Sequence, residues 1–192
     1  MAKTYKLILA SGSPRRQQFF KDLDLDFEVR LKEVDEIYPE HLKAEEITNY
    51  LAELKANAFE GTLAPDEVLI TSDTLVWHKG KALGKPKDKD DAFQILKSLS
   101  NATHEVITSV CFKTQNKMET LYEISKVSFS YLSDEAIDYY IDNYQPFDKA
   151  GAYGIQEWIG LIGISKIEGS YTNVVGLPTE KVYRYIHENL IN

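Results

Sequence analysis

A junction near the start of the chain, where a strand pattern passes directly into a helix pattern, constrains the fold more than any other feature. Residues 6–10 form a short apolar run typical of a buried strand. Ser11-Gly12-Ser13-Pro14 follows at once, with Ser13 suited to the N-cap of a helix and Pro14 to its first position. A strand that leads straight into a helix is the repeating unit of α/β folds, so we expect a fold of that class.

The rest of the chain repeats this alternation. The predicted helices cover residues 14–23, a segment with Ile47, Leu51, Leu54 and Ala58 at helical spacing, residues 90–100, residues 133–143 and a terminal segment opened by Leu177-Pro178-Thr179. The predicted strands cover residues 6–10, 27–31, 68–72, 75–77, 105–113, 119–131 and 158–167. Loops are expected at residues 32–41, 80–89, 144–156 and 169–176. The two long middle strands are separated by a turn signal, Gln115-Asn116-Lys117, which implies antiparallel neighbours and hence a mixed α/β domain.

Length and composition exclude several classes of protein. The chain has 192 residues, 43% hydrophobic and 27% charged, which fits one globular domain over residues 1–192. No apolar run approaches the ~18 residues of a membrane span, and no signal-peptide core is recognisable. The single cysteine rules out a disulfide framework and a cysteine-based zinc site. We therefore expect a soluble, cytoplasmic protein.

The net charge of −8 argues against binding to nucleic acid or to anionic membranes. This net charge does not exclude binding of a small anionic ligand, because a few basic residues can be concentrated in one place. The first such group is Arg15 and Arg16, which follow Ser13-Pro14. The start of a helix attracts anions, and arginines there oppose the helix dipole, so phosphate binding explains them better than capping does. Solvated arginines on a well-capped helix are the alternative.

Three further positions suggest chemistry, each with a simpler alternative. Asp73 lies in Ser72-Asp73-Thr74 at the end of an apolar strand, where a carboxylate can hold a metal or activate water, or merely turn the chain. Lys85, between Gly84 and Pro86, departs from the Walker spacing but can still reach a phosphate. Lys55 lies beside the apolar stripe of its helix, which fits either a lysine pointing into a cleft or a snorkelling surface lysine.

Taken in order, these segments resemble the Maf family of nucleoside triphosphate pyrophosphatases. The matching segments are residues 9–16, 51–58 with Lys55, 72–74, 83–86, 104–108, 148–156 and 169–178, which together span nearly the whole chain. The resemblance implies an α/β fold similar to Maf proteins and inosine triphosphatases, with a long twisted mixed sheet flanked by helices and two lobes around a central cleft. It also implies a homodimer as one assembly.

The resemblance further implies hydrolysis of a nucleoside triphosphate to the monophosphate and pyrophosphate, dependent on Mg²⁺ or Mn²⁺. In that reading Asp73 orients or deprotonates the attacking water, and Arg15 and Lys85 act with it on the phosphates. The metal would be held by Asp73 and Glu36. The remaining substrate-binding residues would be Ser11, Ser13, Arg16, Lys55, Thr74, Lys149 and Gln156.

The identity of Arg16, Thr74 and Gln156 is similar to the branch of the family that hydrolyses dTTP and UTP. A glutamine amide offers one donor and one acceptor, which match the O4 and N3–H edge of thymine or uracil. The alternative functions are a pyrophosphatase that acts on 7-methyl-GTP or another modified nucleotide, and a nucleotide-binding regulator of septum formation. Glu157-Trp158 departs from the family pattern, since a small residue is expected after Gln156, and it adds a carboxylate beside the amide.

Overall fold

The computed structural model describes residues 5–190. The strands in that range are β1 (Lys6–Leu9), β2 (Phe27–Val29), β3 (Glu67–His78), β4 (Lys81–Leu83), β5 (Thr103–Lys113), β6 (Met118–Phe129) and β7 (Ile164–Glu168). The α-helices are α1 (Pro14–Asp22), α2 (Glu45–Asn57), α3 (Lys89–Leu99), α4 (Asp134–Tyr144), α5 (Trp158–Gly163), α6 (Tyr171–Val175) and α7 (Thr179–Asn189). Two short 3-10 helices, Pro146–Asp148 and Ala150–Ala152, separate α4 from α5. Within residues 5–190, no helix combines the length and apolarity needed to cross a membrane.

The strands form a mixed sheet in the order β2-β1-β3-β5-β6-β7, with β4 paired to β3. Strand β1 runs parallel to both β2 and β3, whereas β3 and β4, like β6 and β7, are antiparallel. The predicted turn between the two middle strands is present, with the Thr114 amide donating to the Lys117 carbonyl at 2.8 Å. The predicted mixed α/β class, with helices flanking a mixed sheet, is confirmed.

The described residues divide into two compact units. The first unit contains residues 5–73, 108–123 and 176–190, and the second contains residues 74–107 and 124–175. In the first unit, Ala52 and Ala56 of α2 are buried together with Ile8 of β1 and Leu69 of β3. The assignment of residues 1–192 to one domain stays a prediction.

The second unit has a core of its own, to which α3, α4 and α5 contribute. Its buried side chains include Leu96 and Leu99 of α3, Tyr140 and Ile141 of α4 and Ile159 of α5. Helix α4 starts where the sequence indicates, because the Ser133 hydroxyl accepts a hydrogen bond from the Ala136 amide.

The predicted strand over residues 158–167 is wrong in its first half. Residues Trp158–Gly163 form helix α5, and only Ile164–Glu168 is a strand. Glycine explains the close packing of this helix: a Cβ at Gly160 would lie 1.8 Å from the Ile155 carbonyl oxygen, and one at Gly163 would lie 2.9 Å from Phe129 and Leu132. Three regions expected to be loops also contain regular structure: β4 in residues 80–89, the two 3-10 helices in residues 144–156 and α6 in residues 169–176.

Candidate active site

The turn between β1 and α1 forms an open helix N-terminus, as the sequence predicts. The Ser13 hydroxyl accepts a hydrogen bond from the Arg16 amide at 3.4 Å, and Pro14 occupies the first helical position. The Ser11 hydroxyl accepts from the Ser13 amide at 3.3 Å. Since the first turn contains no acidic residue, the partial positive charge of the helix end is available to an anion.

The side chain of Arg16 is fixed by backbone carbonyl groups. Its Nε donates to the Gly176 carbonyl at 2.9 Å and its Nη1 to the Ser72 carbonyl at 3.1 Å. Burial lowers the pKa of Arg16, an effect that the nearby Asp73 carboxylate opposes, but a guanidinium stays charged in proteins. Carbonyl groups hold its position without cancelling its charge, so Arg16 is not a solvated surface arginine. Arg15 precedes it in α1 and is half-buried.

Lys55, in the last turn of α2, joins two carboxylates from different parts of the first unit. Its Nζ lies 2.7 Å from Asp73 Oδ1 and 2.9 Å from Glu36 Oε1. Asp73 is buried in β3, whereas Glu36 is exposed in the irregular segment between β2 and α2. Lys55 is therefore one member of a charged cluster with Asp73 and Glu36, and the surface-lysine alternative is wrong.

The surroundings of Asp73 act on its protonation in opposite directions. Burial is the largest effect, and it raises the pKa of Asp73. The charge of Glu36 also raises this pKa. It is lowered by the charge and hydrogen bond of Lys55 and by the charge of Arg16. A carboxylate with a raised pKa, held beside two cations, is suited to accept a proton from water in a substrate complex.

Asp73 and Glu36 also offer oxygen atoms of the kind that could hold a divalent metal ion. Both carboxylates reach the same ammonium group, and hard oxygen ligands are those that Mg²⁺ prefers. Among residues 5–190, no group of three or more His, Cys, Asp and Glu side chains is arranged to hold a metal ion. Mg²⁺ is commonly bound through one or two carboxylates with substrate phosphates completing its ligands, so the pair fits such an ion.

The second unit contains the other predicted site residues. Thr74 follows Asp73 in β3 and is half-buried, and Lys85 is exposed between β4 and α3. The loop of Lys85 is joined to the loop that follows α4, because the Gly84 carbonyl accepts from the Gly151 amide at 3.0 Å.

The loop after α4 carries Lys149 and Gln156. Lys149 is buried and its Nζ lies 2.7 Å from Asp148 Oδ1 and 3.2 Å from Glu157 Oε1, while Gln156 is exposed. Tyr153 holds the loop in place, because its hydroxyl lies 2.7 Å from Nε2 of the buried His104. Burial lowers the pKa of His104 to about 3, so this ring is neutral at pH 7.

The structure thus brings six of the predicted residues together, all of them in the first unit. The first unit gathers the helix start and charged cluster: Ser11, Ser13, Arg16, Glu36, Lys55 and Asp73. The second unit holds Lys149 beside Glu157. Sequence patterns did not indicate the Gly176 and Ser72 carbonyls that fix Arg16, since any residue supplies a carbonyl. They also did not indicate Tyr140, which donates a hydrogen bond to Glu157. The only sequence signal for this contact was Glu157 itself, which stands where the family pattern has a small residue.

Comparisons with known proteins identify the family. The profile of the family described as Maf-like protein matches residues 6–189. A protein of Flavobacterium johnsoniae named dTTP/UTP pyrophosphatase is 71% identical over 184 residues, covering 96% of this chain and 95% of its own. Proteins of the same name from Flavobacterium psychrophilum and Christiangramia forsetii are 72% and 54% identical, covering 94% and 99% of this chain and 93% and 97% of their own. On the extent of the profile match and on these identities, the chain belongs to the Maf family.

Proposed function

We propose that this protein hydrolyses dTTP and UTP to the nucleoside monophosphate and pyrophosphate. The observation that carries the proposal is the buried Asp73 carboxylate, which lies against Lys55 in a unit that also offers Arg16 and an open helix N-terminus. The names of the Flavobacterium relatives support the choice of nucleotides. The net charge of −8 supports a small substrate rather than nucleic acid.

The basic residues bind the triphosphate. Arg15, Arg16, Lys55 and Lys85 offset its negative charges, and the increase of charge on the leaving pyrophosphate makes their contribution greatest in the transition state. The Ser11 and Ser13 hydroxyls add hydrogen bonds at the start of α1. Lys149 contributes a further cation from the loop after α4.

Asp73 acts on the attacking water. Its carboxylate orients the water toward the α-phosphorus and accepts the proton as the new P–O bond forms and the bond to the pyrophosphate oxygen breaks. The charge and hydrogen bond of Lys55 lower the pKa of Asp73, which opposes the effect of burial. Asp73 and Glu36 would hold a divalent ion, Mg²⁺ or Mn²⁺, which when bound supplies charge neutralisation at the phosphates.

Gln156 selects the base and Thr74 supports it. The amide donates to O4 and accepts from N3–H of thymine or uracil, whereas cytosine reverses the donor and acceptor at that edge. A 5-methyl group adds only a small apolar contribution, so dTTP and UTP are both substrates.

Pyrophosphate release from a panel of nucleotides tests the proposal. The panel contains dTTP, UTP, CTP, ATP, GTP, ITP and 7-methyl-GTP, each with Mg²⁺, with Mn²⁺ and with EDTA. We expect dTTP and UTP to react fastest, and EDTA to remove the activity until the metal is restored. If 7-methyl-GTP released pyrophosphate fastest, the role of Gln156 would be contradicted. A folded protein that hydrolysed none of the nucleotides would instead favour a nucleotide-binding regulator.

A further inference from the structure

The exposed Gln156 lies in a tight turn of residues 154–157, hereafter the 154–157 turn. The Glu157 amide donates to the Gly154 carbonyl at 3.0 Å, which closes the turn. The side chain of Glu157 folds back over Gly154, since a Cβ at position 154 would lie 2.8 Å from the Glu157 carboxyl carbon. Glycine at 154 therefore makes room for this conformation of Glu157.

One hydroxyl group holds both ends of the turn. Tyr140, on α4, is fully buried. Its hydroxyl accepts a hydrogen bond from the Gly154 amide at 3.0 Å and donates one to Glu157 Oε2. Burial and the Glu157 carboxylate both raise the pKa of Tyr140, so the hydroxyl keeps its proton and remains a donor.

The second oxygen of Glu157 has a different partner. Oε1 lies 3.2 Å from Nζ of Lys149, whose side chain is only 10% exposed. Both carboxylate oxygens are thus engaged by the protein, one by Tyr140 and one by Lys149. Glu157 is not a spare carboxylate directed at the nucleotide; it connects the 154–157 turn to a buried lysine.

We propose that Glu157 is a positioning residue for base selection, which with Tyr140 holds the 154–157 turn so that the Gln156 amide meets the base in one orientation. This inference deepens the proposed function and rests on it. An amide has a donor and an acceptor of nearly equal shape, so a turn that moves freely lets either end reach the base. A turn held at both ends fixes the point from which the Gln156 side chain starts and the side from which its amide approaches the base. The two amide orientations then no longer pair equally well with the base, and that distinguishes thymine and uracil from cytosine. Lys149, through the same carboxylate, is held in place for the phosphates that all nucleotides share.

The test compares kcat and KM for dTTP and for CTP in Glu157→Ala, Glu157→Gln and Tyr140→Phe. We expect Glu157→Ala and Tyr140→Phe to lower the ratio of the two kcat/KM values by about fivefold, because one lost hydrogen bond is worth on the order of 1 kcal/mol, which is a factor of about five. The kcat for dTTP should stay within roughly threefold, since the reacting phosphate is untouched. Glu157→Gln keeps an oxygen for the Tyr140 hydroxyl, so it should restore the ratio, while KM shifts by the same factor for both nucleotides.

Matched controls are available in the same unit. Glu168→Ala removes an exposed glutamate that is also paired to a lysine, Lys166, and Tyr139→Phe removes the hydroxyl of the neighbouring exposed tyrosine of α4. Both should leave the ratio unchanged. Thermal unfolding of every variant establishes that it is folded.

Several results would overturn the inference. An unchanged ratio in Glu157→Ala would do so, as would an equal loss of kcat for both nucleotides, which is the signature of a structural role. Failure of Glu157→Gln to restore the ratio would exclude the hydrogen bond to Tyr140 as the cause. If the wild type releases no pyrophosphate, the proposed function fails. Calorimetric binding of the α,β-imido analogues of dUTP and CTP to the same variants then measures selectivity directly. Equal binding of both analogues by the wild type, or no binding of either, would overturn the inference as well.

Discussion

At the scale of single residues, Asp73 is a carboxylate in an environment that disfavours its charge. Burial raises its pKa, and Lys55 and Arg16 offset part of that effect. A hydrophobic side chain at this position would avoid the cost of burying a charge altogether. Retaining a buried carboxylate beside two cations is therefore what a proton acceptor requires rather than what stability requires.

This environment predicts the pH dependence of the reaction. In the proposed mechanism Asp73 accepts a proton and must be ionised, so kcat/KM should fall as the pH drops through the raised pKa of Asp73, at a pH above the ~3.9 of an ordinary aspartate. Because Lys55 lowers the pKa of Asp73, Lys55→Met should move the acid limb of the profile to higher pH. The measurement is kcat/KM for dTTP as a function of pH.

Lys21→Met, which removes an exposed lysine of α1, is the control for a general loss of positive charge. It should leave the acid limb where it lies in the wild type. If Lys55→Met lowers the rate but leaves the position of the acid limb unchanged, Asp73 is not the group whose ionisation controls the rate.

At the scale of elements, Gly151 shows how closely the loop after α4 packs on β3. Its φ is +72°, and a Cβ there would lie 2.7 Å from Cγ2 of Val76. Gly61 has a similar φ of +70° with no atom within 4 Å of the added Cβ. The two glycines therefore share a backbone conformation and differ in the space beside it.

Replacing each glycine by alanine separates the two costs. Gly61→Ala should lower the free energy of unfolding by about 1 kcal/mol, from backbone strain alone. Gly151→Ala should lower it by about 2–4 kcal/mol, because the clash with Val76 adds an overpacking cost. Urea unfolding of both variants measures the difference, and equal losses would show that the loop moves away from β3 at little cost.

Local signals in the sequence predicted most elements but not all. The spacing of Ile47, Leu51 and Leu54 predicted α2, and Ser13 predicted the start of α1, because these features act within a few residues of each other. The segment of α5 is a short apolar run, in which strand and buried-helix patterns look alike. Its helix depends on the packing of Gly160 and Gly163 against other segments, which no local pattern reports.

The candidate site was predictable to a similar extent. The sequence indicated that Lys55 lies beside the apolar stripe of its helix, but not that it meets Asp73, since that pairing depends on how α2 packs on β3. The pairing of Glu36 with Lys55 likewise depends on the path of an irregular segment. The resemblance to the Maf family named these residues together, and the distances at Lys55 give a physical reason for their grouping.

At the scale of the whole molecule, an acidic chain holds several of its basic residues in fixed positions. The chain has 22 lysine and arginine residues against 30 aspartate and glutamate residues. Arg16 is held by carbonyl groups, whereas Lys55 and Lys149 are each held by two carboxylates. Side chains that are already held in position lose little conformational entropy when a ligand binds.

The products of dTTP hydrolysis test the central claim most directly. The wild type, Asp73→Asn and Asp66→Asn are compared by anion-exchange chromatography; Asp66 is exposed in the turn before β3 and serves as the matched control. We predict dTMP and pyrophosphate in equal amounts, a rate about 10²–10⁴-fold lower in Asp73→Asn, and an Asp66→Asn rate within roughly twofold of the wild type. Formation of dTDP and phosphate, or an Asp73→Asn variant as fast as the wild type, would contradict the account.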